Sequence, residues 1–326
     1  MNGKRKTNSN NITILVLMIL VCVLMAFIIP DTYFTGRNLK SIAYQFPEYG
    51  ILAFGMMLCM ITGGIDLSMV GIMNLSGMVA ALILKALIPV GTTSTGQITF
   101  VMILAIIAAL ATGALCGIFN GFVIGFFRQP AMIVTLCSLQ IFSGIVYGVT
   151  AGSAITGMYP GFAQIANGTI GAASIPRVLL IFLLVFICTL FFVKCTVPGK
   201  HIYYLGSNQR AAVLSGINTL KLSILIYMIS GILAGISGVL ITSHLNAAKS
   251  SNGTSYTLLT LLIVVLGGVH PDGGSGNVIG VTLSILLMQM VSNAFTLMHI
   301  SQNARNFANG LILVVVLVIS AKKKAK

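Results

Sequence analysis

Residues Ile98–Phe126 read ITFVMILAIIAALATGALCGIFNGFVIGF, an apolar run without a charged side chain. At about 1.5 Å per residue, a helix of this length exceeds a hydrocarbon core of roughly 30 Å. Lipid cannot satisfy exposed backbone groups, and the run lacks the period-two alternation of a barrel strand, so it is expected to be a transmembrane helix. Gly113, Gly117, Gly121 and Gly125 recur at every fourth position and therefore share one face. Small residues at that spacing let a second backbone approach closely.

The rest of the chain has the same character. Of its 326 residues 57% are hydrophobic and 7% charged, with a mean hydropathy of +1.04, more apolar surface than a water-soluble globule can hide. About ten spans are expected, at Ile12–Ile29, Ala43–Ile61, Leu67–Leu87, Ile98–Phe126, Ala131–Thr150, Val178–Val193, Leu222–Ser243, Thr257–Gly267, Asn277–Met298 and Phe307–Ser320. The eighth is short. No gap between spans can hold a soluble domain, so residues 1–326 read as a single all-α polytopic membrane bundle. Gly144, Gly148 and Gly152 repeat the glycine device in the fifth span, as do Gly231 and Gly235 in the seventh.

Basic residues orient the bundle. With the N-terminus inside, the inner segments hold Lys4, Arg5, Lys6, Arg128, Lys194, Lys200, Arg210, Lys221, Lys322, Lys323, Lys324 and Lys326. The outer ones hold Arg37, Lys40, Lys85, Arg177, Lys249 and Arg305. That bias predicts a multi-pass protein of the inner or plasma membrane with both termini cytoplasmic: basic tails at 1–11 and 321–326, and a cytoplasmic loop at 194–221. The net charge of +14 is then a topology signal, and no nucleic-acid partner is expected, since basic residues interleaved with aromatics on a soluble face are missing. Lys4-Arg5-Lys6 before an apolar run resembles a signal peptide, but the run ends at Ile29-Pro30-Asp31-Thr32 without a small-x-small site, so a retained anchor is expected.

Enzyme chemistry finds no purchase. The six cysteines lie mostly inside apolar spans and the four histidines lack ligand spacing, so neither a metal site nor a catalytic constellation is expected, and no cofactor. The loop from Leu266 to Asn277 is glycine-rich (Gly267, Gly268, Gly273, Gly274) but lacks the Gly-Lys-Ser/Thr ending of a nucleotide-binding P-loop. It reads as a tight turn at Pro271-Asp272-Gly273, with Ser275 capping the next helix.

Two polar segments remain. Gly206–Ile217 suggests a short helix with Ser207 as N-cap, Gly216 as stop, and a small-residue surface of Ala211, Ala212 and Ser215. It is either an interfacial anchor or a knob for a cytoplasmic partner. Thr62-Gly-Gly-Ile-Asp-Leu-Ser68 places one of only four acidic residues, Asp66, between two spans. An ionisable group there is a functional candidate; as an N-cap of the third span it would accept from the N–H of Ser68 or Met69, worth about 1 kcal/mol. The ten-span topology puts it at the inner face, which favours capping over substrate contact.

These segments together resemble the permease subunits of ribose/galactose-type ABC sugar importers. The likeness rests on Gly63-Gly64-Ile-Asp66-Leu-Ser68, on Gly206-Ser207-Asn208-x-x-Ala211-Ala212-x-x-Ser215-Gly216-Ile217, on Leu266-Gly267-Gly268 with Gly273-Gly274-Ser-Gly-Asn-Val-Ile-Gly280, and on Pro130–Leu136, in order across residues 40 to 320. The resemblance implies a transport subunit rather than an enzyme, working with a cytoplasmic ATP-binding subunit, an extracytoplasmic sugar-binding protein and a second permease chain, identical or paralogous. It also implies that the helix at 206–217 is a coupling helix, with Ser207, Asn208, Ala211, Ala212, Ser215 and Gly216 facing the ATPase. The nearly uncharged segment Ala151–Pro176 would dock the binding protein. A monosaccharide or small polyol is read by amides and hydroxyls, so the pathway candidates are the mid-span residues Asn74, Asn120, Gln140, Gln289 and Asn293, each of which could equally serve interhelical hydrogen bonding. Glu48, near the outer end of its span, would line the way in or sit at the interface. The alternative is a stand-alone secondary transporter or channel, which would want a mid-span carboxylate for ion coupling.

Overall fold

The structure is a computed structural model describing residues 2–88, 95–171 and 174–324, with side chains described from residue 10 to residue 318. The side chains of the tails' basic residues, Lys4, Arg5, Lys6, Lys322, Lys323, Lys324 and Lys326, thus lie outside the described ones. In chain order the elements are α1 (Asn2–Ile28), α2 (Pro30–Tyr33), α3 (Gly36–Ile61), α4 (Met69–Leu87), α5 (Thr95–Phe127), α6 (Ala131–Thr150), β1 (Ile155–Thr156), α7 (Pro160–Asn167), β2 (Thr169–Ile170) and β3 (Ile175–Pro176). There follow α8 (Arg177–Cys195), α9 (Val197–Ser207), α10 (Gln209–Leu214), α11 (Thr219–Leu245), β4 (Ala247–Ala248), α12 (Tyr256–Leu266), α13 (Val278–Leu297) and α14 (Gln302–Lys324). It is an all-α membrane bundle. Among the described residues seven helices, α1, α4, α5, α6, α8, α11 and α13, are long and apolar enough to cross a membrane. The other three expected spans fall on α3, α12 and α14.

The core lies between α3, α4, α11, α12 and α13. From Phe46 to Ile61 α3 is buried on every side, whereas α1, α5, α6 and α8 turn large apolar side chains outward, as lipid-facing helices do. The α5 stripe works as its spacing predicts. A Cβ on Gly113 or Gly117 would overlap the carbonyl oxygen of Gly231 or Tyr227 on α11, and one on Gly121 would lie 2.6 Å from Ile224 Cα. The similar stripe on α6 does not seat: Gly144 and Gly148 have open space where a Cβ would be.

Two breaks in the helices shape the interior. At residues 62–68 the chain turns back into the bundle, so α4 begins beside Gly55, whose Cβ position is 3.2 Å from Met69 Cε and 3.1 Å from Ser230 Oγ. Gly55 lies six residues, roughly 9 Å, above the end of α3. From the opposite end, residues 249–255 descend before α12, which at 11 residues is only about 16 Å long. This explains the short eighth span. Asn74 of α4 supports the descending segment, donating from Nδ2 to the carbonyls of Ser250 (2.9 Å) and Asn252 (3.0 Å). Irregular backbone at this depth survives only where protein groups satisfy it.

The end opposite α10 is roofed by the segment after α6. β1 pairs antiparallel with β4 (Ile155 opposite Ala248), β2 with β3 (Thr169 opposite Pro176), and α7 lies between the two ribbons. Ser243 at the top of α11 holds α7, donating to the Phe162 carbonyl (2.7 Å) and accepting from Ala166 N (3.0 Å).

Candidate functional site

The separated motifs meet at the α10 end of the bundle. A Cβ on Gly206, the penultimate residue of α9, would overlap the Ile61 carbonyl oxygen and the Gly274 nitrogen. Gly274 N donates to the same Ile61 oxygen (2.9 Å), and Tyr203 Oη donates to the Gly276 carbonyl (3.1 Å). Gly273 closes the expected turn, its N–H reaching the His270 carbonyl (2.9 Å). Its φ of 89°, with 86° at Gly63, is left-handed backbone that side chains rarely adopt. The two residues are stacked: a Cβ on Gly273 would be 2.6 Å from Gly63 N. At the start of the same loop, a Cβ on Gly267 would lie 2.7 Å from Val281 Cα and one on Gly268 2.8 Å from Asn10 Nδ2. Gly63, Gly206, Gly273 and Gly274 thus form a three-way backbone junction joining the end of α3, the end of α9 and the α12–α13 loop.

Above the junction lies Asp66. Only 1% exposed, it accepts at Oδ1 from Ser68 N (3.1 Å) and Ser68 Oγ (2.6 Å), and at Oδ2 from Ser230 Oγ of α11 (2.7 Å). Asn120 of α5 extends the network, donating to Ser68 Oγ (2.8 Å) and accepting from Ser138 Oγ of α6 (2.6 Å). Thr135 Oγ1 donates to the Ile65 carbonyl (2.9 Å), and a Cβ on Gly64 would sit 3.1 Å from Ala131 Cβ, so the Pro130–Leu136 stretch joins the assembly too. The expected bond from Ser68 N is present, but Ser68 is the residue preceding α4 and Asp66 lies one residue pair upstream. The expected inner-face position needs correction: the re-entrant turn draws Asp66 into the bundle, where it ties α4, α11, α5 and α6 together.

The coupling segment also differs from expectation. Two helices occupy it because Thr196, accepting from Gly199 N (3.1 Å), and Pro198 start α9 well upstream. Ser207 ends α9 and donates to the Tyr203 carbonyl (2.8 Å); Asn208, not Ser207, caps α10, accepting from Ala211 N (3.0 Å). Likewise Asn277, not Ser275, caps α13. Gly216 stops α10 with a φ of 80°. Ala212 is buried against its own chain, while Ala211, Val213, Leu214 and Ser215 are exposed, Leu214 at 89%. The outward face of α10 is therefore apolar at its tip.

On the far side of the core, ~20 Å up α3 from Ile61, a cavity of about 370 Å³ lies between α3, α11, α12, α13 and α14. Gln45, Glu48 and Tyr49 enter it from one face of α3, as spacings of three and four require. Glu48 is buried, with Oε1 bonded to His244 Nδ1 of α11 and Oε2 accepting from Tyr256 Oη of α12 (3.2 Å). A second chain runs beside it: Tyr49 Oη donates to Gln289 Oε1 (2.6 Å), Gln289 Nε2 to Gln45 Oε1 (3.1 Å), and Gln45 Nε2 to Ser41 Oγ (2.8 Å). An adjoining hollow of about 430 Å³, lined by Arg37, Lys40 and Tyr44 and sharing Gln45 and His244, continues toward the α7 end.

Of the five pathway candidates, Gln289 lines this cavity. Asn74 holds the wall segment at 249–255 without lining it, Asn120 belongs to the Asp66 network, Gln140 faces outward from α6, and Asn293 is buried with Nδ2 unpartnered. The sequence reading missed Gln45, His244, Tyr256 and Arg305. The polar trio Gln45, Glu48 and Tyr49 at spacings of three and four, just before the apolar run from Gly50 to Ile61, was the available signal.

The fold and site together define a multi-helix membrane bundle with a polar interior cavity and a short exposed helix at one end. Its family is settled by comparison. The family described as "Branched-chain amino acid transport system / permease component" matches residues 38–319, and the chain belongs to it. It is 30% identical over 311 residues to the ribose import permease of Escherichia coli (strain K12), covering 94% of this chain and 92% of that one. It is 31% identical over 302 residues to the ribose import permease of Haemophilus influenzae (91% and 89%), and 28% over 313 residues to the L-arabinose permease of E. coli (strain K12; 96% and 91%). No solved structure matches. The chain is the membrane permease subunit of an ABC importer, not an enzyme.

Proposed function

We propose that this permease carries a monosaccharide across the membrane in ten crossings, with both termini and α10 at the cytoplasmic face. α12 together with the descending segment 249–255 makes the eighth crossing. A second permease chain completes the pathway, lipid surrounds the pair, and a sugar-binding protein delivers substrate onto the roof of α7 and its two ribbons. The ATP-binding subunit takes the tip of α10, and the pull passes through the glycine junction to α3 and the Asp66 network.

The observation that carries this reading is the exposed apolar tip of α10, Val213 and Leu214, set on a rigid backbone junction. An interfacial anchor would lay its apolar side chains against lipid without such a support. Leu214→Asp should leave membrane insertion intact and lower co-purification of the ATP-binding subunit at least ten-fold, with uptake lost; Ala211→Arg should do the same by bulk. Wild-type co-purification and uptake in both variants would favour the anchor. Transport by the isolated chain would instead support the stand-alone carrier.

Sugar is favoured over a branched-chain amino acid by the relatives, whose names specify ribose, xylose and arabinose. Competition between labelled monosaccharide and leucine for uptake by the complete importer decides between them.

A further inference from the structure

The cavity beside Glu48 has a composition that neither packing nor coupling requires. Six amide side chains line it: Gln45, Asn252, Gln289, Gln302, Asn306 and Asn309. Its carboxylate is held from two directions by His244 and Tyr256. A carboxylate offers about four acceptor sites, so two protein partners leave capacity for two more donors. Held in this way, the remaining lone pairs keep a fixed direction, and the low exposure of Glu48 strengthens any bond it makes. The rings of Tyr49 and Tyr256 stand 5.6 Å apart at 58°, an apolar corner beside that acceptor.

We propose that this cavity is a transit subsite for a neutral monosaccharide, with Glu48 as its principal acceptor for two sugar hydroxyls and the Gln45–Gln289 amide pair beside it as further hydrogen-bonding partners. The proposal rests on the sugar-permease reading. Carboxylate and amides together match a ring that carries donors and acceptors around its whole edge, and the tyrosine corner matches its C–H face. A branched-chain amino acid would use Glu48 for its ammonium group and Arg305 for its carboxylate, but its apolar side chain would be set against a wall of amides. An apolar side chain offers the amides and the free lone pairs of Glu48 no hydrogen bond in exchange for the water it displaces, whereas sugar hydroxyls do. The cavity volume is within the usual range for small-ligand sites, and its continuation past Gln45 and His244 gives a route toward the α7 end.

The test uses the complete importer in proteoliposomes, with labelled ribose and labelled leucine as probes. Glu48→Gln removes the acceptor charge at nearly constant shape; Ser292→Trp narrows the cavity from a lining residue that makes none of the cluster's hydrogen bonds. With complex assembly confirmed by co-purification, each variant should take up the transported sugar at least ten-fold more slowly than wild type. Uptake within two-fold of wild type in an assembled Ser292→Trp importer would overturn the subsite. A wild-type importer that moves leucine and not ribose would overturn the sugar reading instead. In that case the same variants scored with leucine separate a misplaced cavity from a mistaken substrate.

Discussion

The two ends of this molecule are built from opposite materials. At the α10 end, Gly63, Gly206, Gly273 and Gly274 bring three chain segments together by having no side chains at all. Toward the α7 end, Glu48, His244, Tyr256, Gln45 and Gln289 leave a hollow fringed with the longest polar side chains of the core. The first arrangement transmits position, because close-packed backbones cannot slide without moving one another. The second presents chemistry, because separated polar groups can be met by a ligand or by water. The contrast teaches that the stretches most distinctive in this sequence mark where backbones meet, while the polar hollow is lined by residues outside them.

The largest effect expected from that difference is at the junction. Gly206→Ala forces a methyl group into the Ile61 carbonyl and the Gly274 nitrogen, an overpacking cost of about 1–3 kcal/mol or more. Thermal unfolding of the detergent-extracted protein should show a clear drop in Tm, with uptake lost. An unchanged Tm would mean that the three segments do not touch.

Gln289→Leu probes the other end and should separate stability from transport. It breaks bonds to Tyr49 and Gln45 beside a space that water can enter, so the expected loss of stability is below about 1.5 kcal/mol. Sugar uptake by the complete importer should nevertheless fall about ten-fold. Equal damage to Tm and uptake would make Gln289 a structural strut and erase the distinction between the two ends.

The smallest effect is expected on the second glycine stripe. Gly148→Ala meets nothing within 4 Å and should shift stability by no more than about 0.5 kcal/mol in the single chain. A large loss of uptake with unchanged monomer stability would show that this face of α6 meets another chain in the assembled importer.

The glycines also mark how far the sequence could be read. Spacing alone gave α5 and α6 the same device, and only the packing partner distinguishes them: α11 fills the face of α5, while α6 turns its glycines outward. Asp66 is similar. Its bond from Ser68 N is local and was legible; its partnership with Ser230, and Asn120 beyond, spans 164 and 52 residues of sequence and was not. For α10, residue types located the segment, but the cap moved to Asn208 because the upstream helix already included Ser207.

By itself the sequence determined the membrane bundle, the near positions of its helices and the importer family. Apolar length and backbone satisfaction are local demands that composition meets segment by segment. Only the tertiary structure decided that three distant glycine motifs form one junction, that Asp66 lies inside the bundle, and that Glu48, His244 and Tyr256 share a cavity. Each of these depends on which helix faces which, and that is settled by close packing between segments far apart in the chain.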